Sequence, residues 1–157
     1  MGAPQAHAHE KSARRIPSWV RRALVVAWIA FIWSRSLFPG PASSSQSNFV
    51  ATLLQPLLEA MGIHEWSQMT FLVRKTAHFL EYTVLGVLLA LTRDEGSPWW
   101  PRVLVGVATP PSADETIQLF VPGRSGQVTD VMLDCAGVAV GMALATGIRS
   151  VLRRRRR

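Results

Sequence analysis

Residues 131–148 read VMLDCAGVAVGMALATGI, an apolar run that contains a single charge, Asp134. Arg149 follows it at once, and Arg153 to Arg157 close the chain. An apolar run of about this length is typical of a helix that crosses a bilayer. The terminal arginines are typical of side chains that anchor such a helix among anionic headgroups. This stretch decides the fold, because it predicts a membrane protein.

Three earlier segments are apolar but less regular. They are Ile16 to Phe38, Phe71 to Leu91 and Val103 to Ala113. The third contains Pro110-Pro111, where we expect the helix to kink or restart, because each proline removes a backbone donor and crowds the preceding turn. The first could instead be a cleaved signal peptide. We favour a retained span, because further spans follow and no clean A-x-A cleavage site is present.

A fifth helical pattern lies between the first two spans. The Pro, Gly and Ser content of Phe38 to Ser47 predicts a loop. Apolar residues then recur at helical spacing, with Asn48 as a possible N-cap and Gly62 just beyond the end. Pro56 weakens the pattern. The apolar residues are Phe49, Leu53, Leu54, Leu57, Leu58 and Met61. They predict a short amphipathic helix on the membrane surface.

The sequence therefore predicts an all-α membrane protein with four transmembrane helices and a short amphipathic surface helix between helices 1 and 2. We expect a disordered basic tail over residues 1–15, a membrane domain over 16–149 and a basic cytoplasmic tail over 150–157. The composition, 48% apolar and 17% charged in 157 residues, argues against wholesale disorder. The single cysteine, Cys135, excludes an internal disulfide framework and a Cys-rich metal site.

The basic residues predict the orientation. With four spans, thirteen of the seventeen Lys and Arg residues fall on the side that holds both termini. The other four are Arg35, Arg74, Lys75 and Arg124. By the positive-inside rule, both termini are cytoplasmic. We expect no nucleic-acid partner despite the net charge of +7, because this charge sits at span boundaries with no folded soluble domain to present it.

This topology brings the ionisable residues of three helices to one depth near the outer surface. A charge that faces lipid near the bilayer core costs roughly 2.5 to 3.5 kcal/mol, so we expect these side chains to turn inward and pair. Spacings of three or four residues put several of them on common helix faces. The predicted binding residues are Arg74, Lys75, His78, Glu81, Asp114, Glu115, Gln118, Arg124, Asp130 and Asp134.

Each part of this group has two interpretations. His78 with Glu81 could ligate a metal together with other carboxylates. A hydrogen-bonded network that holds the helices in register is favoured, and no metal or cofactor is expected. Arg74, Lys75 and Arg124 could clamp an anionic substrate or serve as counter-ions to the acids. Glu115 with Gln118 could act as general base and orienting amide, or bond to the arginines.

Three blocks in this order resemble the VanZ-like family of bacterial membrane proteins. They are RKTAHFLEYTVLG at 74–86, DETIQLFVPGRSG at 114–126 and DVMLDCAG at 130–137, and FIWS at 31–34 resembles a weaker first block. The resemblance implies a four-span protein of the bacterial cytoplasmic membrane. The founding member of the family is associated with resistance to the glycopeptide teicoplanin, by a mechanism that is not settled.

We therefore expect an envelope protein whose outward-facing polar pocket recognises a cell-wall or lipid-linked headgroup and alters glycopeptide susceptibility. The alternative is a membrane hydrolase or transferase acting on outer-leaflet phospho-lipids, with His78 and Glu115 as candidate catalytic residues. Ion-coupled transport through the carboxylates ranks last, because the inner halves of the second and fourth spans are uncharged. The lipid bilayer is the expected partner, and the sequence does not set an oligomeric state.

Overall fold

The computed structural model describes residues 16–37, 40–94, 96–111 and 128–155, and these residues form five helices. The helices are α1 (Ser18–Ser36), α2 (Gly40–Ala60), α3 (Trp66–Leu91), α4 (Trp100–Pro111) and α5 (Val128–Arg154). The all-α prediction is confirmed, and the helices occur in the predicted order. Residues 1–15, for which a disordered tail is predicted, lie outside the described part of the chain.

α3 is the central helix, and its most extensive contact is with α5. One apolar core joins α1, α3 and α5 through Val25, Ile32, Tyr82, Leu85, Leu89 and Val138. A second, smaller core joins α2 to α3 through Ala51, Leu58, Met69 and Val73. Within each core, the α3 residues are three or four positions apart, so they share one face of this helix. The two sets lie on opposite faces of α3, which different neighbours therefore cover.

Cross-helix contacts give the relative directions of the helices. Lys75 contacts Asp130 and Arg149 contacts Ala90, so α3 and α5 run parallel. Arg21 contacts Leu91 while Trp28 contacts Glu81, so α1 runs antiparallel to them. The N-terminal end of α1 and the C-terminal end of α5 therefore lie at the same end of the bundle.

The predicted loop over Phe38 to Ser47 is wrong for residues 40–47, and Asn48 is not an N-cap. α2 already begins at Gly40, and Asn48 lies inside it, where its carbonyl accepts a hydrogen bond from the Thr52 hydroxyl. Pro41 falls in the first turn, where the missing N–H costs no helical hydrogen bond. Packing of Ala51 and Leu58 on α3 outweighs the weak helix propensity of the serines.

The predicted end of this helix is confirmed. Gly62 has a φ of +85°, its N–H donates to Glu59 O, and the Ile63 N–H donates to Leu58 O. These two bonds form a Schellman motif, which needs a residue in the left-handed region that glycine adopts without strain. Phe49, Leu53 and Leu57 remain exposed, so most of the apolar face of α2 is turned away from the protein.

Among the described residues, α5 is the one helix that is both long and apolar enough to cross a membrane. α1 and α3 are long enough, with 19 and 26 residues, but their charged side chains lower their mean hydropathy. α4 includes Pro110 and Pro111 at its described end, so the consequence of these prolines for the following residues lies outside the described part. α5 continues to Arg154, into the segment predicted as a tail.

Candidate functional site

Six ionisable side chains from three helices meet at one end of the bundle. They form the ion-pair cluster, which consists of Arg35, Lys75, His78, Glu81, Asp130 and Asp134. Lys75, His78 and Glu81 recur every third residue along α3, so they follow one face of this helix over two turns. α1 and α5 lie on either side of that face.

Two aspartates of α5 contact side chains of α3. The Lys75 ammonium donates to the Asp130 carboxylate. Asp130 lies in the first turn of α5, where the helix dipole also stabilises a negative charge. One turn further on, Asp134 Oδ2 lies 4.0 Å from His78 Nδ1.

Asp134 is the deepest member of the cluster, with 0% of its surface exposed. Burial of a carboxylate costs several kcal/mol unless charges and hydrogen bonds compensate for the lost water. The imidazole beside it supplies an opposite charge when it is protonated. The site therefore combines a buried carboxylate with a neighbouring imidazole.

Glycines on α5 bring the two helices close enough for these contacts. A Cβ on Gly137 would lie 2.7 Å from Phe79 O, and a Cβ on Gly141 would overlap Thr83 O. Since a real Cβ does not approach a backbone oxygen so closely, only glycine permits this separation. Gly137 and Gly141 therefore allow close packing of α5 on α3.

α1 contributes a residue that the sequence analysis did not place in the site. Arg35 Nε lies 2.9 Å from Glu81 Oε1, and the Trp28 indole donates to Glu81 O at 2.9 Å. Arg35 looks like a helix-end anchor in the sequence. The signal that could have identified it is its position among the four basic residues predicted on the side that carries the acids.

The structure describes only some of the predicted binding residues. Five of them come together, namely Lys75, His78, Glu81, Asp130 and Asp134. Arg74 lies half-buried on α3, one turn before His78. The other four predicted residues lie outside the described part of the chain, and they are Asp114, Glu115, Gln118 and Arg124.

The described part of the site can bind charged and hydrogen-bonding groups. Its cations are potential ligands for phosphate or carboxylate oxygens, and its carboxylates accept hydrogen bonds from hydroxyl or amide groups. Within the described residues, no three His, Cys, Asp or Glu side chains are arranged to hold a metal ion. For the whole chain, the absence of a bound metal therefore stays a prediction.

Fold and site define the class of protein as an all-helical bundle with ionic contacts between its helices and one strongly apolar helix. A family model, VanZ/LLP1, matches residues 22–151. This range contains the entire ion-pair cluster and all but the ends of the five-helix bundle, so the chain belongs to the VanZ/LLP1 family. The suspected resemblance is confirmed. No curated protein and no solved structure matches the chain.

Proposed function

We propose that this protein is a VanZ-like, four-span protein of the bacterial cytoplasmic membrane whose ion-pair cluster faces outward and binds a cell-wall or lipid-linked headgroup. This binding alters susceptibility to glycopeptides such as teicoplanin. The observation that carries the proposal is the meeting of two ion pairs and a histidine–aspartate contact from α1, α3 and α5 at one end of the bundle.

The exposed apolar surface supports a membrane location. Large apolar side chains are more than half exposed on helices α3, α4 and α5, among them Phe71, Leu80, Leu104, Leu144 and Ile148. Water-soluble monomers rarely expose apolar surface on this scale, whereas lipid tails cover it without cost. At a rise of 1.5 Å per residue, the 26 residues of α3 extend about 39 Å, which exceeds a hydrocarbon core of about 30 Å. The 19 residues of α1 extend about 28 Å, which nearly matches this core.

The distribution of charge supports the orientation. Arg21, Arg93, Arg102 and Arg149 meet around the C-terminal end of α3, at the end of the bundle opposite the ion-pair cluster. An excess of arginine on one side is typical of the cytoplasmic surface. The cluster would then face the outer leaflet, where envelope precursors are exposed.

The chemistry of the cluster supports a headgroup ligand. Lys75 and Arg35 are half-exposed cations beside acidic partners, so they can contact a ligand phosphate or carboxylate while remaining partly neutralised. Arg74, and Arg124 as expected from the sequence, would add to the cations of the proposed pocket. The acids would orient the hydroxyl and amide groups that cell-wall precursors carry.

A deletion strain provides the test. Strains complemented with the wild type, His78→Ala or His64→Ala are compared for teicoplanin sensitivity and for lipid and muropeptide composition. His64 is an exposed histidine between α2 and α3, so its variant is the matched control. We expect the deletion and His78→Ala strains to share an altered phenotype and His64→Ala to restore the wild type.

Protein amount separates function from stability in this experiment. An immunoblot of membranes should show equal amounts of His78→Ala and wild-type protein. A deletion strain with unchanged teicoplanin sensitivity and unchanged envelope composition would overturn the proposal. Loss of the His78→Ala protein would instead assign His78 a role in holding the helices together.

A second candidate function is hydrolysis or group transfer on an outer-leaflet phospho-lipid. The 4.0 Å separation of His78 Nδ1 from the buried Asp134 carboxylate favours it, because a carboxylate beside an imidazole stabilises the ring when it accepts a proton in general base catalysis. Glu115 would be the second acid–base group, and Arg74 and Arg124 would bind phosphate. This function requires that purified wild type turns over a phospho-lipid and that folded His78→Ala does not.

A further inference from the structure

A cavity of about 340 Å³ lies at the opposite end of the bundle from the ion-pair cluster. It is lined chiefly by Arg93, Trp99, Arg149, Ser150, Arg153 and Arg154. We call it the arginine cavity. Fifteen residues of α3 separate Lys75 from Ala90, which is about 23 Å along the helix, so the cavity is a separate site.

The C-terminal end of α3 orients Arg149 in the wall of this cavity. Arg149 Nη1 donates to Ala90 O at 2.9 Å and Nη2 donates to Leu91 O at 3.2 Å. Arg21 also donates to Leu91 O, and Arg102 donates to Thr92 O. These bonds satisfy carbonyls that a helix end leaves without helical partners, and they neutralise its negative dipole.

Arg93 is also held in place. Its guanidinium carbon lies 4.7 Å from the centre of the Trp99 ring, and its Nε donates to Ser97 O at 3.1 Å. Two arginines of the cavity are therefore oriented by the protein itself. Binding of a ligand to these two arginines costs less conformational entropy, because their side chains are already ordered.

Positive charge predominates among the described residues that line the arginine cavity. Four guanidinium groups line it, and none of its lining residues in the described part of the chain is acidic. The nearest described carboxylate in sequence is Asp94, whose Oδ1 is bound by Arg21 at 2.6 Å. An anion bound among these guanidinium groups would reduce their mutual repulsion.

We propose that the arginine cavity binds a phosphate group. Guanidinium groups present planar pairs of donors that match phosphate oxygens, and Ser150 adds a hydroxyl donor. The volume falls at the low end of the range of small-ligand sites, which suits a phosphate with a small attached group. The phosphate can belong to an anionic phospholipid headgroup or be free in solution.

The test uses the full-length protein and two probes. Native mass spectrometry measures retention of phosphatidylglycerol after reconstitution with phosphatidylglycerol and phosphatidylcholine. Calorimetry in a zwitterionic detergent measures binding of inorganic phosphate. The variant Arg153→Gln with Arg154→Gln removes two cavity charges and leaves the bonds of Arg149 intact. Arg22→Gln with Arg155→Gln is the matched control, because it removes the same charge from exposed residues outside the cavity.

We expect the cavity variant to weaken binding of at least one probe about tenfold and the control to change it less than about twofold. Selective retention of phosphatidylglycerol identifies a lipid headgroup, and binding of inorganic phosphate alone identifies a soluble ligand. An equal loss in both variants would show unspecific attraction and overturn the proposal. Binding of neither probe to the wild type would overturn it as well.

Discussion

Arg21 and Asp94 illustrate how a single contact joins distant segments. Arg21 Nη2 lies 2.6 Å from Asp94 Oδ1, which ties the start of α1 to the loop after α3. The hydrogen bond and then the charge of Arg21 hold the pKa of Asp94 below its ordinary value of 3.8, with smaller contributions from Arg102 and Arg22. A carboxyl group whose pKa is lower in the folded than in the unfolded protein stabilises the fold above the unfolded value.

This stabilisation should be lost as the pH falls from the pKa that Asp94 has in the unfolded protein through its lower pKa in the folded protein. We expect Asp94→Asn to lower the melting temperature at about pH 6 and to have a smaller effect at about pH 3. The effect should be modest and decrease with salt, because the carboxylate is exposed. Thermal melts of both proteins across this pH range measure it. An equal effect of the substitution at both pH values would contradict the assigned role.

At the scale of elements, the contact between α3 and α5 depends on glycines in both helices. A Cβ on Gly86 would overlap Val138 O, as one on Gly141 would overlap Thr83 O. Close helix contact through small residues is the main source of packing energy in a membrane, where burial of apolar surface contributes little. This contact also sets the separation of Lys75 from Asp130 and of His78 from Asp134.

We expect Gly141→Ala to destabilise the protein by about 1 to 3 kcal/mol, because the new methyl group must push the two backbones apart. Gly147 lies in the same helix with nothing within 4 Å of a Cβ, so Gly147→Ala is the matched control. The control should gain up to about 1 kcal/mol from helix propensity. Thermal denaturation in detergent compares them. A Gly141→Ala protein as stable as the control would refute the close contact.

At the scale of the whole molecule, the two ends of the bundle differ in charge. One end carries the arginines that bind the terminal carbonyls of α3, and the other carries the ion-pair cluster. Fixed charges of this kind orient a bundle relative to a membrane, because cytoplasmic loops retain Lys and Arg. The proposed topology follows from the excess of arginine at one end.

Cysteine labelling tests this topology. In a Cys135→Ser background, Glu65→Cys lies before α3 at the proposed outer surface, and Arg155→Cys lies beyond α5 at the proposed inner surface. We expect a membrane-impermeant maleimide to label Glu65→Cys in intact cells and Arg155→Cys only after permeabilisation. The Cys135→Ser protein is the unlabelled control. Labelling of Arg155→Cys in intact cells would contradict the orientation.

Helix order and most helix bounds were predictable, because apolar periodicity and charged ends are local properties. The start of α2 was not, since loop-forming residues there adopt a helix that packs on α3. In the site, His78, Glu81 and Asp134 were among the predicted binding residues, and the structure brings them together. The inclusion of Arg35 was missed, because its partner Glu81 lies 46 positions away on another helix.

The amino-acid sequence by itself determined that the described residues are mostly helical, how many helices they form and which residues carry charge. Only the tertiary structure decided which of those charges meet. Each residue turns a helix by about 100°, so packing decides that Lys75, and not the neighbouring Arg74, contacts Asp130. The arginine cavity has the same origin, because its walls come from α5 and from the residues between α3 and α4, which approach only when the bundle is assembled.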